Sequence, residues 1–384
     1  MTNPGDRYDV VVIGAGQSGL AAGYHLARRG FDFVILEAGD RVGDVWRNRY
    51  DSLLLYSPAS GDELPGLRFP LPRRVFPTGR QMADYLEAYA THHQLPVQTG
   101  TRVQRLAAAG SGDGQAGFEI STTSGTYVAN QVIVATGAFQ LPRIPDFAAQ
   151  LDPTIRQLHS SEYRGPHQLA DGPVLVVGVG HSGTDIGHEV ALAGHRTTLS
   201  GRVPAQLPFP IDSWRGRNLE WPIMRFLFSR IFTIGTPLGR RMAAKARAGM
   251  FAPPLLRNRR PELEKAGIEL REVRTVGVEG GKPRLADGSV LDVRNVIWCT
   301  GFRPDYGWID LPIETAGVWP AQRRGVIESV PGLYVLGLPF LHSFASLLVL
   351  GASRDAAHVV GRLAERAGER GAQPASADAG TSAA

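Results

Sequence analysis

The sequence contains only one cysteine, Cys299, in 384 residues. A single cysteine excludes an intrachain disulfide, a CxxC redox pair and a cysteine-based zinc site. No run of 18 apolar residues is free of charged residues, so no membrane-spanning helix is predicted. Asp6 and Asp9 precede a short β-branched run near the N-terminus, which is unlike a signal peptide. These absences predict a globular protein of the cytoplasm.

Neither sign of charge dominates the sequence. There are 41 Lys and Arg residues against 36 Asp and Glu residues, a formal net charge of +5. This balance weakly favours anionic ligands, but no nucleic-acid-binding motif accompanies it, so no nucleic-acid partner is expected. Glycine is abundant, with 46 residues and no Gly-X-Y period. Because glycine is needed where the backbone takes a positive φ or approaches another group closely, the positions of the glycines are informative.

Two similar units of strand, glycine turn, helix and strand are predicted along the chain. Their strands and helices are expected at residues 8–13, 18–29 and 31–36, and again at 174–177, 182–193 and 196–199. A later strand follows each unit and ends in Thr-Gly, at Thr136-Gly137 and at Thr300-Gly301. We take these two strand ends as candidate cofactor-binding residues. The pattern predicts an α/β fold with two Rossmann-like dinucleotide-binding domains.

The first glycine turn is Gly14-Ala15-Gly16-Gln17-Ser18-Gly19. In this fingerprint Gly14 permits the tight turn, Gly16 lets the backbone approach a pyrophosphate, and Gly19 allows close packing of helix on strand. The helix N-terminus, with Ser18 in its first turn, offers N–H groups to phosphates. Glu37 ends the next strand, where its carboxylate can accept the ribose hydroxyls of a dinucleotide. Strand, turn, helix and acid together predict a dinucleotide site.

The second glycine turn, Gly178-Val179-Gly180-His181-Ser182-Gly183, has the same context. Its candidate binding residues are Gly178, Gly180, Ser182 and Gly183. The position that matches Glu37 holds Gly201, and Arg202 follows it. Loss of the acid and gain of a neighbouring arginine favour a ribose with a 2′-phosphate, so NADPH is predicted here rather than NADH.

Two dinucleotide sites in one chain indicate that FAD is the resident redox group and that NADPH delivers hydride to it. A disulfide reductase of this kind would need a cysteine pair beside the flavin, and the sequence has none. The electrons of the reduced flavin must therefore pass to O₂, to a small acceptor or to another protein.

Beyond the two turns, further motifs carry a resemblance to a known family. They are Gly43-Asp44-Val45-Trp46-Arg47, Arg49-Tyr50-Asp51-Ser52-Leu53, His159-Ser160-Ser161-Glu162-Tyr163, Thr300-Gly301-Phe302-Arg303-Pro304-Asp305-Tyr306, and Gly332-Leu333-Tyr334 through Gly337-Leu338-Pro339-Phe340. Over residues 7–365 the sequence resembles the class B flavin-containing monooxygenases, and most closely the compact bacterial flavoprotein (FAD/NADPH) monooxygenases.

The resemblance implies an NADPH- and O₂-dependent monooxygenase that works through a C4a-(hydro)peroxyflavin. The expected substrate is a small organic molecule, oxygenated at N or S or oxidised beside a carbonyl. The resemblance also implies that Trp46 lies beside the flavin, that the Val103 backbone contacts the adenine, and that Asp305 and the helix from about Ser346 face the flavin ring. The alternative is an NADPH-dependent flavin oxidoreductase that passes electrons to a quinone-like acceptor or to O₂ without oxygenating a substrate.

Two segments depart from the family pattern. The family fingerprint is Phe-x-Gly-x-x-x-His-x-x-x-aromatic. This sequence keeps the His and the aromatic residue as His159 and Tyr163, but has Pro153 and Ile155 in the Phe and Gly places. His159 is either a hydrogen-bonded hinge residue or a catalytic one. Many family members have an Asn near the flavin in the segment that matches residues 51–60, and this sequence has none there. No catalytic residue and no metal site are predicted.

The predicted domain organisation follows from these assignments. Residues 1–150 and 302–370 are expected to form a split FAD domain, residues 151–301 an inserted NADPH domain, and residues 371–384 a disordered tail. An insert at about 205–260 is basic and partly apolar, and could line a substrate tunnel, rest on a membrane surface through 215–245, form a dimer face, or be a solvated cap. The oligomeric state is left open between monomer and homodimer.

Overall fold

The computed structural model of the chain describes residues 7–110, 117–250 and 253–372. Its strands are β1 (Arg7–Ile13), β2 (Phe33–Leu36), β3 (Val97–Gln98), β4 (Val103–Ala108), β5 (Phe118–Thr122), β6 (Gly125–Val134), β7 (Leu141–Pro142), β8 (Arg156–His159), β9 (Val174–Val177), β10 (Thr197–Ser200), β11 (Glu269–Arg271), β12 (Thr275–Glu279), β13 (Lys282–Leu285), β14 (Asn295–Trp298), β15 (Phe302–Arg303), β16 (Ile309–Asp310), β17 (Thr315–Ala316), β18 (Trp319–Pro320) and β19 (Leu333–Val335). Its helices are α1 (Gln17–Ala27), α2 (Asp44–Arg47), α3 (Gly79–His92), α4 (His181–Leu192), α5 (Trp221–Phe226), α6 (Pro237–Arg247), α7 (Arg260–Lys265) and α8 (Val349–Ala372). Shorter 3-10 segments occupy Ala59–Gly61, Asp146–Gln150, Pro166–Gln168 and Phe344–Leu347, and π-helical segments occupy Gly216–Glu220 and Leu227–Ile231.

The first sheet has eight strands in the order β16-β4-β5-β6-β1-β2-β3, with β19 also paired to β6. Its centre is parallel: β1 pairs with β2 on one side and β6 on the other. Val10, Val11 and Val12 of β1 are completely buried because both faces of the sheet are covered, as is usual for parallel strands. Helix α1 packs against α8 beside this sheet.

The second sheet has five strands in the order β11-β10-β9-β14-β8, and every neighbouring pair is parallel. Strands β9 and β14 are buried along their whole length. Helix α4 crosses over from β9 to β10 and contacts both. The predicted α/β class with two such dinucleotide-binding folds is therefore confirmed. The strands of the second sheet lie within residues 156–298, between strands of the first, but the domain boundaries themselves remain predictions.

The strand and helix bounds differ from the predicted ones in detail. The helix predicted over 18–29 extends over Gln17–Ala27, and the strand predicted over 31–36 is shorter, from Phe33 to Leu36. The hairpin of β12 and β13 turns at Gly280-Gly281, and a second tight turn follows β13 at Asp287-Gly288. The last helix begins at Val349 and continues to Ala372, and residues 373–384 of the predicted disordered tail lie outside the described residues.

The insert after β10 forms a cap, defined here as residues 205–250 and 253–260. In its buried core, Ile211, Trp221 and Phe228 of the cap pack with Phe76 and Phe344, which lie just before α3 and α8. Backbone hydrogen bonds fix this contact: Phe344 N–H donates to Phe232 O, and Ile234 N–H donates to His342 O, both at 2.9 Å. The cap therefore also packs on loops of the first sheet.

In the described part of the chain, no helix is both long enough and apolar enough to cross a bilayer.

The start of α1 tests how much the fold depends on glycine. A Cβ added to Gly19 would lie 1.8 Å from the carbonyl oxygen of Gly14, whereas a Cβ on Gly16 would meet nothing within 4 Å. We expect Gly19→Ala to lower the free energy of unfolding by about 2 kcal/mol or more, because helix and turn must separate. The matched variant Gly16→Ala should cost less than about 1 kcal/mol. Urea unfolding followed by circular dichroism measures both, and equal losses would contradict this packing.

Candidate functional site

The first glycine turn lies where β1 ends and α1 begins. Gly14 has a φ of +105°, and a Cβ there would lie 2.8 Å from the carbonyl oxygen of Ala135. Gly16 borders open space, so its backbone is accessible to a ligand. Ser18 is buried, and its hydroxyl lies 3.2 Å from a Cβ built on Gly337. The turn, the end of β6 and the end of β19 therefore meet at the carboxyl ends of the parallel strands.

Glu37 reaches back to this turn from the end of β2. Its carboxylate accepts a hydrogen bond from Ala15 N–H at 2.7 Å and another from Gly39 N–H at 2.9 Å. Each carboxylate oxygen keeps a further lone pair for a ribose hydroxyl. Thr101 N–H donates to Glu37 O, so the segment that leads into Val103 runs beside Glu37. The residues present fit the adenosine end of a dinucleotide.

The second glycine turn repeats this geometry between β9 and α4. Gly178 has a φ of +109°, and a Cβ there would lie 2.4 Å from Cys299 O. A Cβ on Gly183 would lie 1.8 Å from Gly178 O, whereas Gly180 borders open space. Ser182 lies in the first turn of α4. The same close approach of helix to strand thus leaves a second accessible helix N-terminus.

The position that matches Glu37 at the second turn has cations beside it. Gly201 follows β10 with a φ of +139°, a conformation that side chains rarely adopt, and Arg202 next to it is exposed. Gly201 N–H donates to Arg271 O at 3.0 Å, which brings the end of β11 beside Arg202. Sequence reasoning missed Arg271, because only the pairing of β10 with β11 makes it a neighbour.

The two Thr-Gly strand ends are connected by hydrogen bonds. The Gln140 amide nitrogen donates to Thr136 Oγ1 at 2.8 Å and to Gly137 O at 3.1 Å, and its carbonyl oxygen accepts from Asp305 N–H. Thr300 Oγ1 donates to Arg143 O in the neighbouring linker. Gln140 could not be predicted from the sequence, because it connects the two linkers only where they cross between the sheets.

His159 is fully buried beside Gly301. Ser161 N–H donates to His159 Nδ1 at 3.2 Å, so Nε2 carries the ring proton and donates to Gly301 O at 3.0 Å. Burial lowers the pKa of this imidazole. Of the two predicted roles, this geometry favours a hydrogen-bonded hinge residue, since both ring nitrogens bind backbone groups, those of Ser161 and Gly301.

Trp46 and Arg49 lie between the two sheets with unused hydrogen-bonding groups. Trp46 packs against the cores of both sheets, and its buried Nε1–H has no partner among the described residues. The Arg49 guanidinium lies 5.4 Å from the centre of the Phe302 ring and makes no hydrogen bond or ion pair in the described part of the chain. Burial lowers the pKa of Arg49. These groups remain available to a bound ligand.

A buried polar cluster, named here the Asp185 cluster, joins three segments of the chain. The Asp185 carboxylate of α4 accepts hydrogen bonds from Tyr56 Oη at 2.5 Å, Tyr50 Oη at 3.2 Å and Asn258 Nδ2 at 2.7 Å. Arg257 NH1 lies 3.8 Å away. Burial and the neighbouring carboxylate raise the pKa of both tyrosines well above its usual value. Nothing in the sequence signalled this cluster, since its members are far apart along the chain.

Comparison with known proteins agrees with this geometry. Residues 11–208 match the family model described as pyridine nucleotide-disulphide oxidoreductase. The chain is 37% identical over 361 residues to the uncharacterized oxidoreductase CzcO-like protein of Geobacillus kaustophilus (strain HTA426), which covers 92% of this chain and 97% of that protein. It is 29% identical over 380 residues to the indole-3-pyruvate monooxygenase YUCCA1 of Oryza sativa subsp. japonica, with 91% and 89% covered.

Among solved structures, the flavin-containing monooxygenase from Stenotrophomonas maltophilia superposes with a TM-score of 0.68 at 28% identity. The match covers 94% of this chain and 99% of that one. The resemblance to flavin-containing monooxygenases that the sequence motifs predicted is confirmed.

The Asp185 cluster can be tested by a double-mutant cycle. Tyr56→Phe and Asp185→Asn should each destabilise the protein, and we expect a coupling energy of about 1 kcal/mol, because the first removes the buried hydrogen bond and the second replaces its charged acceptor with a neutral amide. Tyr85 provides the control, since among the described residues its hydroxyl bonds to backbone groups of Leu64 and Leu67 and to no side chain. Tyr85→Phe and Asp185→Asn should be additive within about 0.5 kcal/mol in urea unfolding. Additivity in both cycles would refute the cluster.

Proposed function

The chain belongs to the pyridine nucleotide-disulphide oxidoreductase family and is an oxidoreductase of the flavin-monooxygenase type, and from this premise we propose that it is a FAD-containing, NADPH- and O₂-dependent monooxygenase. Its substrate in this proposal is a small organic molecule that is oxygenated at N or S or oxidised at a carbonyl. The observation that carries the proposal is the pair of accessible glycine turns with opposite charges at their ribose positions, Glu37 at one and Arg202 at the other.

In this proposal the first turn holds FAD. Gly14, Gly16, Ser18 and Gly19 would surround its pyrophosphate, because the open space at Gly16 lies at the N-terminus of α1. Glu37 would accept the ribose hydroxyls with its remaining lone pairs. The other FAD-binding candidates, some of them assigned by resemblance, are Trp46, Val103, Thr136, Gly137 and Asp305. The Asp305 carboxylate accepts a hydrogen bond from Gly307 N–H at 3.0 Å, and one of its lone pairs is thereby used.

The second turn would hold NADPH through Gly178, Gly180, Ser182 and Gly183. A carboxylate at position 201 would repel a 2′-phosphate, but the residue there is glycine. Arg202 would attract that phosphate. Arg271 uses its Nε–H on Glu269 and keeps its other N–H groups for the same anion. Thr300 and Gly301 complete the proposed set on the linker.

Bound FAD would supply the redox chemistry, accepting hydride from NADPH and reacting with O₂. The protein's residues orient the two nucleotides and exclude water. His159 holds the linker at Gly301, and the Asp185 cluster fixes α4 against the Tyr50–Tyr56 segment. Trp46 Nε1–H and the Arg49 guanidinium would contribute free hydrogen-bond donors between the two sheets.

Dithiol chemistry is not part of this proposal, despite the family's name. Cys299 is the only cysteine, so no redox pair can form within the chain. Burial also raises the pKa of its thiol, which disfavours the reactive thiolate.

The proposal is tested by oxygen incorporation. The purified yellow protein is supplied with NADPH and a panel of amines, sulfides, ketones and indolic keto acids under ¹⁸O₂. We expect one labelled oxygen atom in a product, measured by mass spectrometry, together with substrate-dependent NADPH oxidation. If NADPH oxidation instead yields only hydrogen peroxide or a reduced quinone across the panel, the alternative oxidoreductase function replaces this one.

The choice of NADPH over NADH gives a separate prediction. Arg202→Ala should raise KM for NADPH about tenfold or more and leave that for NADH nearly unchanged, because only NADPH carries the 2′-phosphate. Arg271→Ala should act in the same direction. Arg196→Ala is the matched control, since Arg196 is also exposed but precedes β10 at its opposite end. Steady-state NAD(P)H oxidation measures all three variants, and equal losses for both nucleotides would remove the role assigned to Arg202.

A further inference from the structure

The cap carries more positive charge than the whole protein. Between residues 213 and 250 there is one acid, Glu220, and there are eight cations: Arg215, Arg217, Arg225, Arg230, Arg240, Arg241, Lys245 and Arg247. This stretch has a net charge of +7, whereas the entire chain has +5, so the rest of the chain is net negative. Such asymmetry indicates an anionic partner for this surface.

The same stretch exposes large apolar side chains in a regular pattern. Leu219, Ile223 and Phe226 are 52%, 59% and 58% exposed, at spacings of four and three residues along a continuous helical segment. Trp214, just before this segment, is 73% exposed. The opposite face buries Trp221, Met224 and Phe228 in the cap core. The helical segment therefore has a second apolar face that the protein does not cover.

Among the described residues, the eight cations between residues 213 and 250 are not paired with carboxylates, unlike Arg257, Arg259 and Arg260 at the end of the cap. Across residues 7–110, 117–250 and 253–372, no ion pair joins any of the eight to a carboxylate. Glu220 instead accepts a hydrogen bond from Phe209 N–H at 2.9 Å. Arg230 follows Phe226 by four residues, which continues the exposed face by one turn. Arg225 is exposed directly beside Phe226.

Exposed apolar residues flanked by unpaired arginines are the pattern of a helix that lies in a membrane interface. We propose that the outer face of the cap, formed by Trp214, Leu219, Ile223 and Phe226 with the surrounding cations, docks the protein onto an anionic phospholipid bilayer. The apolar side chains enter the boundary between headgroups and acyl chains, and the cations contact anionic headgroups.

Two other occupants fit this surface less well. Nucleic acid would engage the cations but leave the apolar row in water. A second copy in a two-fold dimer would place the same patch on both sides, so the exposed Arg225 and Arg230 of one copy would meet the same cations of the other. A bilayer with anionic lipids satisfies both features of the surface at once.

The experiment is cosedimentation of the full-length holoenzyme with vesicles of phosphatidylcholine, with and without phosphatidylserine. We expect binding only to vesicles that contain phosphatidylserine, and its loss at high salt. The variant Leu219→Ser/Ile223→Ser/Phe226→Ser should reduce the partition coefficient about tenfold or more. Arg225→Gln/Arg230→Gln should reduce it about fivefold for each charge removed at low salt.

Matched controls change the same residue types elsewhere. Leu192→Ser/Val276→Ser/Val290→Ser removes three exposed apolar side chains outside the cap, and Arg29→Gln/Arg196→Gln removes two exposed cations. Both controls should bind vesicles like the unaltered protein, and NADPH oxidation without vesicles should be unchanged in all variants.

Three results would overturn the proposal. The first is absence of sedimentation with anionic vesicles, and the second is equal weakening by the cap variants and by the controls. The third is a dimer, seen by sedimentation velocity, that the apolar cap variant dissociates, because that outcome assigns the face to a second copy of the chain.

Discussion

The close contact between helix and strand at the two glycine turns is the constraint on which both candidate sites depend. At Gly19 and at Gly183 the helix approaches the preceding turn so closely that a Cβ would lie 1.8 Å from a backbone oxygen. This approach directs the first N–H groups of α1 and α4 toward the carboxyl ends of the parallel strands. The Thr-Gly strand ends lie at the same ends of the sheets, so in the proposed function the backbone alone would form most of each phosphate-binding surface.

One position then distinguishes the two otherwise similar sites. After β2 the chain has Glu37, whose carboxylate already accepts hydrogen bonds from Ala15 N–H and Gly39 N–H. After β10 the chain has Gly201 with a positive φ, followed by Arg202. A carboxylate suits neutral hydroxyls and repels a phosphate, whereas an arginine does the reverse. The scaffold is thus shared, and in the proposed function the nucleotide preference would reside in the loop after the second strand of each unit.

The sequence predicted those parts of the fold and site that depend on local patterns. The two βαβ units, the glycine turns and Glu37 could be read within about 40 residues each, because turn, helix and acid follow one another in register. Arg271 and Gln140 could not be found, since strand pairing and linker crossing bring them to the site. His159 could be found by its motif, but only its two hydrogen-bond partners favour a hinge role over a catalytic one.

The segment between Trp46 and Tyr56 shows why such tertiary contacts matter for the chemistry. Apart from the last residues of α2 it has no regular secondary structure, so its position depends on what it touches. Tyr50 and Tyr56 bind Asp185 of α4, and Arg257 of the cap donates to Leu54 O and Leu55 O. A buried carboxylate is tolerated only when its donors are present, so this cluster forms only if the two sheets and the cap adopt this arrangement. The segment that carries the free donors of Trp46 and Arg49 is therefore held between the two sheets by groups from both sheets and the cap.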